Sequence, residues 1–163
     1  KRQLIYELEI RSVYPEFIVH LRPTTPFRDP SIIDEAITFF MESQDKYTSL
    51  RSIHEMSESA YKTFEIDDDG ILMQAFNRSY ELDSANSARQ EFPATYNPNG
   101  YVDVLSVEFI KKYNRLHGNQ VFGFKTPKVT EVDTLQDLEN LNHELNSSNK
   151  HYNILFGESN ERI

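Results

Sequence analysis

Residues 17–40 read FIVHLRPTTPFRDPSIIDEAITFF, and this stretch carries a strand, a loop and a helix in succession. Phe17 to Leu21 is short and largely apolar, the composition of a strand buried inside a parallel sheet. Arg22-Pro23-Thr24-Thr25-Pro26-Phe27-Arg28 follows as a proline-stiffened loop. Asp29-Pro30 then opens a helix, because the Asp carboxylate accepts an otherwise orphan backbone N–H and Pro is tolerated at the first helical position. Ile32, Ile33, Ala36, Ile37, Phe40 and Met41 recur at helical spacing and give a broad apolar face. A buried strand that feeds a covering helix through a loop is the repeating unit of an α/β sheet, so the fold class is decided here.

Working outward, Gln3 to Val13 patterns as the end of an amphipathic helix that Pro15 stops. Thr48 to Glu55 is strand-like, and Lys62 to Ile66 with Ile71 to Met73 reads as a hairpin turned by Asp67-Asp68-Asp69-Gly70. Asn77 to Glu91 has no sustained apolar period and reads as a loop or frayed helix. Tyr101 to Leu105 alternates as a strand, Ser106 to Leu116 is a helix with Gly118 just beyond its end, and Val121 to Phe124 is a further strand. Lys128 to Asp133 is placed as a strand or extended edge. Thr134 and Asp137 form a capping-box-like start for a last helix carrying Leu138, Leu141 and Leu145. In the polar tail, Tyr152 to Phe156 forms one apolar patch. The alternation predicts a mostly parallel sheet covered by helices, with one antiparallel insertion.

The 163 residues amount to one domain, and 38% hydrophobic with 12% aromatic residues supply a core. With 26 acidic against 17 basic residues the formal charge is -9, which opposes an extended nucleic-acid footprint, since such binding is driven by neutralising phosphates. There is no cysteine, hence no disulfide framework, thiol nucleophile or thiolate metal site. No apolar run approaches the roughly 20 residues of a membrane helix and the N-terminus lacks a signal-peptide layout, so a cytoplasmic location is expected.

Several groups of residues are candidates for chemistry. In an extended Glu131-Val132-Asp133 the two carboxylates point to one side, an arrangement that suits Mg2+ but that an acidic rim would also produce. Arg22 and Arg28 bracket the loop after a buried strand, where α/β sheets bind ligands, and arginine forks match phosphate or carboxylate; the same residues would serve as surface capping groups. Arg89-Gln90, Tyr96 and Asn99-Gly100 place a cation, amides, a phenol and a turn within a short span that suits a polar anionic molecule or an ordinary exposed loop. Lys125, after a strand, offers one more cation. Asp67-Asp68-Asp69 lacks the liganding pattern of a calcium loop and reads as a turn.

Four segments, LRPTTPFR with IIDEAI, SLRSIHEMSESAYKTFEI, RQEFPATYNPNGYVDV and VTEVDTLQDLENLNHEL, resemble in order the acylneuraminate cytidylyltransferases, the CMP-sialic acid synthetases, across residues 17–145. The resemblance implies a Rossmann-like nucleotidyltransferase fold, N-terminally incomplete, and transfer of CMP from CTP to an acidic nine-carbon sugar with release of pyrophosphate. It places a divalent cation, Mg2+, on Asp133 and Glu131, and the sugar among Arg89, Gln90, Tyr96 and Asn99 with Gly100. Arg22, Arg28 and Lys125 join them as substrate-binding candidates, and Asp133 and Arg22 are expected to act in the transfer itself. The expected domain is a partial cytidylyltransferase over 1–163, with a dimerisation arm over about 49–76 and a polar tail over 147–163.

The sequence departs from the family pattern at Glu131, usually Asp, and at Arg22, often Gln in enzymes acting on sialic acid itself. Arg51 breaks an apolar run in the second segment. The family's opening strand and glycine-rich, basic loop, which grip the CTP triphosphate, have no counterpart in the 163 residues, so the chain by itself is expected to be inactive. The alternative expectation is a non-catalytic module that binds an acidic sugar or its CMP conjugate, or that dimerises. A homodimer without nucleic-acid or membrane partners completes the reading.

Overall fold

The computed structural model describes residues 2–147 and 153, and these divide into two compact units. The first comprises the residues up to Ile53 and from Pro98 onward, and the second runs from His54 to Asn97. The chain passes from one unit to the other within strands β2 (Ser49–Glu55) and β5 (Tyr96–Ser106).

The first unit holds a four-stranded sheet in the order β1-β5-β2-β6, with β1 at Phe17–His20 and β6 at Val121–Lys125. β1 pairs antiparallel with β5, Phe17 opposite Ser106 and His20 opposite Asp103. β2 pairs parallel with β6, Ser49 opposite Val121 and Ile53 opposite Lys125. The sheet therefore mixes both modes, because the long β5 is inserted between two strands that each precede or follow a helix. Successive β1 residues go to opposite faces. Phe17 and Val19 pack with Leu50, Val102, Val104 and α2 (Pro30–Ser43), whereas Ile18 packs with Leu105 under α1 (Arg2–Ile10) and α3 (Val107–Tyr113).

α2 starts as its sequence dictates. The Asp29 side chain accepts from Ser31 N at 3.0 Å, Pro30 occupies the first turn, and Ala36 and Phe40 are fully buried. Such a cap contributes about 1 kcal/mol. α3 is shorter than its pattern suggests. Asn114 adopts a left-handed conformation (φ 56) and its N–H closes on Ile110 O, so the helix stops there and Gly118 belongs to the loop beyond.

The approach to the last helix, residues 128–133, forms no ladder. Of the two forms expected there, strand or extended edge, the strand is not formed, and the segment is a loop anchored by Val132 N donating to Thr24 O at 2.8 Å. α4 (Leu135–Ser147) begins with the reciprocal cap read from sequence, Asp137 N donating to Thr134 Oγ1 while Asp137 Oδ2 accepts from Thr134 N and Oγ1 and from Asp133 N. Those donors, the Thr134 hydroxyl first, hold the Asp137 carboxyl below its ordinary value. The apolar patch 152–156 and the tail apart from residues 147 and 153 lie outside the described residues.

The second unit contains the hairpin of β3 (Phe64–Ile66) and β4 (Leu72–Gln74), antiparallel with Ile66 opposite Leu72. Its turn is an acid-centred Asx structure: Asp67 Oδ1 accepts from Ile71 N at 2.8 Å and Asp69 N at 3.1 Å, Tyr80 donates to Oδ2, and Gly70 takes φ 81. The Ile71 amide first, then the Tyr80 and other donors, outweigh desolvation and hold Asp67 below the usual carboxylate range. The three acids are thus a turn, as the sequence implies. Residues 83–86 and 89–91 form single 3-10 turns within the polar segment. Residues 49–53, at the start of the arm expected over 49–76, belong to the sheet unit, and the second unit continues to Asn97.

Candidate active site

Three segments distant in sequence meet in the first unit beyond the end of β1: the 22–29 loop, the Asn99-Gly100 start of β5's inner half and the 131–133 segment. Arg28 binds the loop to the strand. Its Nε donates to Tyr101 O at 2.8 Å, and its Nη2 donates to Gly100 O at 2.9 Å and to Arg22 O. Desolvation by burial lowers the guanidinium from its ordinary value, against the opposing charge effect of Tyr101. The Tyr101 hydroxyl accepts from Asp29 N at 2.6 Å and so fixes the α2 cap to the same strand, while burial pushes its phenol up.

Gly100 is where this packing is tightest. A Cβ there would overlap Thr25 Oγ1 and lie 3.0 Å from Arg22 Cδ, so only a glycine lets the loop close on β5. The Gly100 N–H donates to Glu131 Oε1 at 2.9 Å. Asn99 is 1% exposed; its Nδ2 donates to Thr126 Oγ1 and its Oδ1 accepts from Tyr101 N. Ser52 Oγ completes the brace, accepting from Val102 N and donating to Asn99 O.

These contacts sort the sequence candidates. Arg28, Asn99, Gly100 and Glu131 are committed to building the site: Arg28 to three carbonyls, Asn99 to a buried amide network, Gly100 to close packing and Glu131 to a backbone N–H. Asn99, expected to meet a ligand, is buried, and its side-chain amide satisfies the Thr126 hydroxyl and the Tyr101 N–H, which water cannot reach. Arg22 and Asp133 stand apart. Neither the Arg22 guanidinium nor the Asp133 carboxylate has a hydrogen bond or ion pair among the described residues, and the Arg22 stem lies against Gly100. Lys125 lies exposed at the end of β6.

In the second unit, Arg89 Nη2 donates to Glu55 Oε1 at 2.9 Å and to Met56 O at 2.8 Å. It borders a cavity of about 310 Å3 with Gln90, Phe92, Ser59 and Thr95. Glu55 already balances the Arg89 charge, so an anion entering that cavity competes with a carboxylate. Tyr96 is half-buried as the first residue of β5.

Among the described residues no group of three or more His, Asp or Glu side chains converges as a metal cage. Asp133 fits the alternative mode, since Mg2+ commonly takes one or two protein carboxylates and completes its octahedron with water and substrate phosphates. Glu131 fits less well, one oxygen being engaged by Gly100.

No protein-family model matches the chain, and no curated protein matches it. Solved structures do. A CMP:2-keto-3-deoxy-manno-octonic acid synthetase complexed with CTP is 13% identical with a TM-score of 0.57, the match covering 90% of this chain and 67% of that one. The 4-diphosphocytidyl-2C-methyl-D-erythritol synthase of Anaerococcus prevotii is 12% identical with a TM-score of 0.51 and the same two coverages. The chain has a Rossmann-like nucleotidyltransferase fold. At such identities the likeness speaks for the fold, and function has to come from the residues. In this nucleotidyltransferase fold the site just described lies where open α/β sheets receive ligands, outside strand C-termini.

One feature escaped the sequence reading. His20 on β1, Asp103 on β5 and Arg51 on β2 form a row across the sheet: His20 Nδ1 lies 3.5 Å from Asp103 Oδ2, and Arg51 Nε 4.0 Å from Oδ1. Asp103 is 4% exposed, and its Oδ1 and Arg51 Nε lack hydrogen-bond partners. The acid inside the apolar run Tyr101 to Leu105 is the signal that marks it. No helix among the described residues is long and apolar enough to cross a membrane.

Proposed function

We propose that this chain forms the acidic-sugar and metal side of a cytidylyltransferase. In the proposed reaction the anomeric hydroxyl oxygen of an acidic nine-carbon sugar bonds to the α-phosphorus of CTP. The bond from that phosphorus to the bridging oxygen breaks, pyrophosphate leaves, and the hydroxyl proton is lost to solvent. The observation that carries the reading is the convergence of the 22–29 loop, Gly100 and the 131–133 segment, which leaves one guanidinium and one carboxylate uncommitted beside each other's segments. Arg22 supplies a fork for the sugar carboxylate or a phosphate. Asp133 holds Mg2+, which when bound offsets charge on triphosphate oxygens. The named products of both similar structures carry a cytidylyl group, which supports CTP as the co-substrate. Within the first unit Lys125 is proposed to contact sugar or nucleotide; Arg89, Gln90 and Tyr96 are proposed, within the second unit by itself, as contacts for a polar anionic ligand.

Calorimetric titration of the chain with an acidic nine-carbon sugar, its CMP conjugate and a neutral analogue lacking the carboxylate tests this. The conjugate is expected to bind tightest, and the neutral analogue about tenfold or more weaker than the acid, with that preference lost in Arg22→Ala. Equal binding of acidic and neutral sugars by a folded chain overturns the assignment. Retained binding without sugar-dependent pyrophosphate release in any longer chain containing these residues favours a non-catalytic sugar-binding module.

We also propose that the hairpin pairs two copies of the chain. Ile66 is 70% exposed, Ile71 55% and Phe76 63%, more apolar surface than an isolated hairpin carries without a partner. Wild-type protein at micromolar concentration is expected to elute and scatter as a dimer, and Ile66→Glu with Ile71→Glu as a monomer. A monomeric wild type refutes it.

A further inference from the structure

We infer that a second ligand site lies at the opposite edge of the sheet, and that it takes a small anion bearing a planar ring, the chemistry of a nucleoside monophosphate. The cavity measures about 680 Å3 and is lined by Thr48, Phe109, Tyr113, Arg115, Asn119 and Gln120, around Gly118. Thr48 immediately precedes β2 and Gln120 immediately precedes β6, so the cavity opens at the N-terminal ends of these parallel strands. The candidate active site lies beyond their C-terminal ends, about 13 Å away along the five residues of β6. None of its residues belongs to the site above, and the inference does not rest on the transfer reading.

The chain builds this concavity in an identifiable way. Phe109 and Tyr113, one turn apart on α3, set their rings 4.8 Å apart and form an apolar wall. The left-handed Asn114 ends α3, and Arg115, Asn119 and Gln120 from the loop beyond it line the same cavity. Gly118, at φ 89, lets the loop pack closely between the wall and the strand entry; a Cβ there would lie 2.6 Å from both the Phe109 ring and Thr48 Oγ1. Thr48 Oγ1 is turned to His117 O and Gln120 O, which ties the loop to the strand entry.

Its chemistry is selective. The Arg115 guanidinium and the Asn119 and Gln120 amides make no side-chain hydrogen bond or ion pair among the described residues. No carboxylate lines this cavity, in a chain with 26 acidic against 17 basic residues. Lys112 Nζ, 5.2 Å from the Tyr113 ring centroid, lines the adjoining cavity and adds a second positive charge beside the wall. An unpaired guanidinium matches phosphate oxygens, the aromatic wall stacks a planar ring, and the amides meet the polar edge of a base. An adjoining cavity of about 170 Å3 shares Thr48, Phe109, Tyr113 and Gln120 and adds Asp45 and Glu108, acceptors for sugar hydroxyls. A combined volume of this order is that of a small-molecule site.

The test is a titration of the whole chain with CMP, AMP, cytidine and inorganic phosphate, followed by NMR shifts and calorimetry, with circular dichroism confirming the fold of each variant. AMP is the discriminating probe, since its base differs from that of the proposed co-substrate. AMP is expected to bind with a Kd of about 0.1–1 mM. Phosphate alone should be about tenfold or more weaker, Arg115→Gln and Tyr113→Leu should each weaken AMP binding about tenfold, and Arg22→Ala should leave it unchanged. The inference is overturned if folded chain shows no AMP binding at about 10 mM, if both variants bind as wild type does, or if AMP binding is lost in Arg22→Ala.

Discussion

Replacing Asp133 by Asn is expected to lower kcat for sugar-dependent pyrophosphate release about a thousandfold at saturating Mg2+, while Glu131→Gln stays within about threefold of the parent. The assay uses a longer chain that carries these residues together with a triphosphate-gripping loop. The isosteric amide separates the two roles. Glu131 Oε1 accepts from Gly100 N, and a Gln carbonyl preserves that bond, so loss of charge at residue 131 matters only if it ligates the ion. Asp133 has no such bond to preserve, so its proposed role rests on its charge alone. Glu131→Ala is a different experiment: it leaves the N–H of the buried Gly100 without an acceptor and should lower stability by about 1–3 kcal/mol. On the 163-residue chain itself, Mn2+ broadening of backbone resonances around residues 131–137 gives a readout without turnover. It should vanish in Asp133→Asn and persist in Glu131→Gln. Equal losses in the two amide variants would show Glu131 to be a metal ligand.

Gly100→Ala is expected to destabilise the sheet unit by about 1–3 kcal/mol and to abolish the preference for a carboxylated sugar together. The new methyl group would overlap Thr25 Oγ1, whose residue is fully buried, and press on the Arg22 stem at 3.0 Å. Backbone strain is not involved, since Gly100 is absent from the positive-φ positions and the conflict is purely one of space. Relief requires moving the 22–25 segment away from β5, which carries the Arg22 guanidinium with it. Gly123→Ala is the control. Its Cβ would meet only the Ile53 side chain, its terminal Cδ1 at 2.8 Å, rather than a buried hydroxyl and a loop stem, so a smaller loss is expected. Urea denaturation of the three proteins measures the differences. A Gly100→Ala loss below about 0.5 kcal/mol, with sugar preference intact, would show that the loop does not depend on this close approach.

The sequence by itself determined the elements whose causes are local. Asp29-Pro30 starts α2, Thr134 and Asp137 cap the approach to α4, Asp67 closes the hairpin turn, and the apolar spacing of residues 32–41 chooses which face of α2 is buried. Each of these depends on groups within about one helical turn or one tight turn, so adjacent residues suffice to specify it. Only the tertiary structure decided that β5 runs antiparallel beside β1, because strand order and direction are set by pairing between residues some eighty positions apart. The resemblance already set Asp133 above Glu131 and Arg22 above Arg28, and the tertiary structure added a physical difference between the members of each pair. Arg28 and Glu131 meet backbone carbonyls and an N–H of β5 that must be satisfied in the folded interior, whereas Arg22 and Asp133 meet none, and a polar side chain is available to a ligand only when the fold has not already used it.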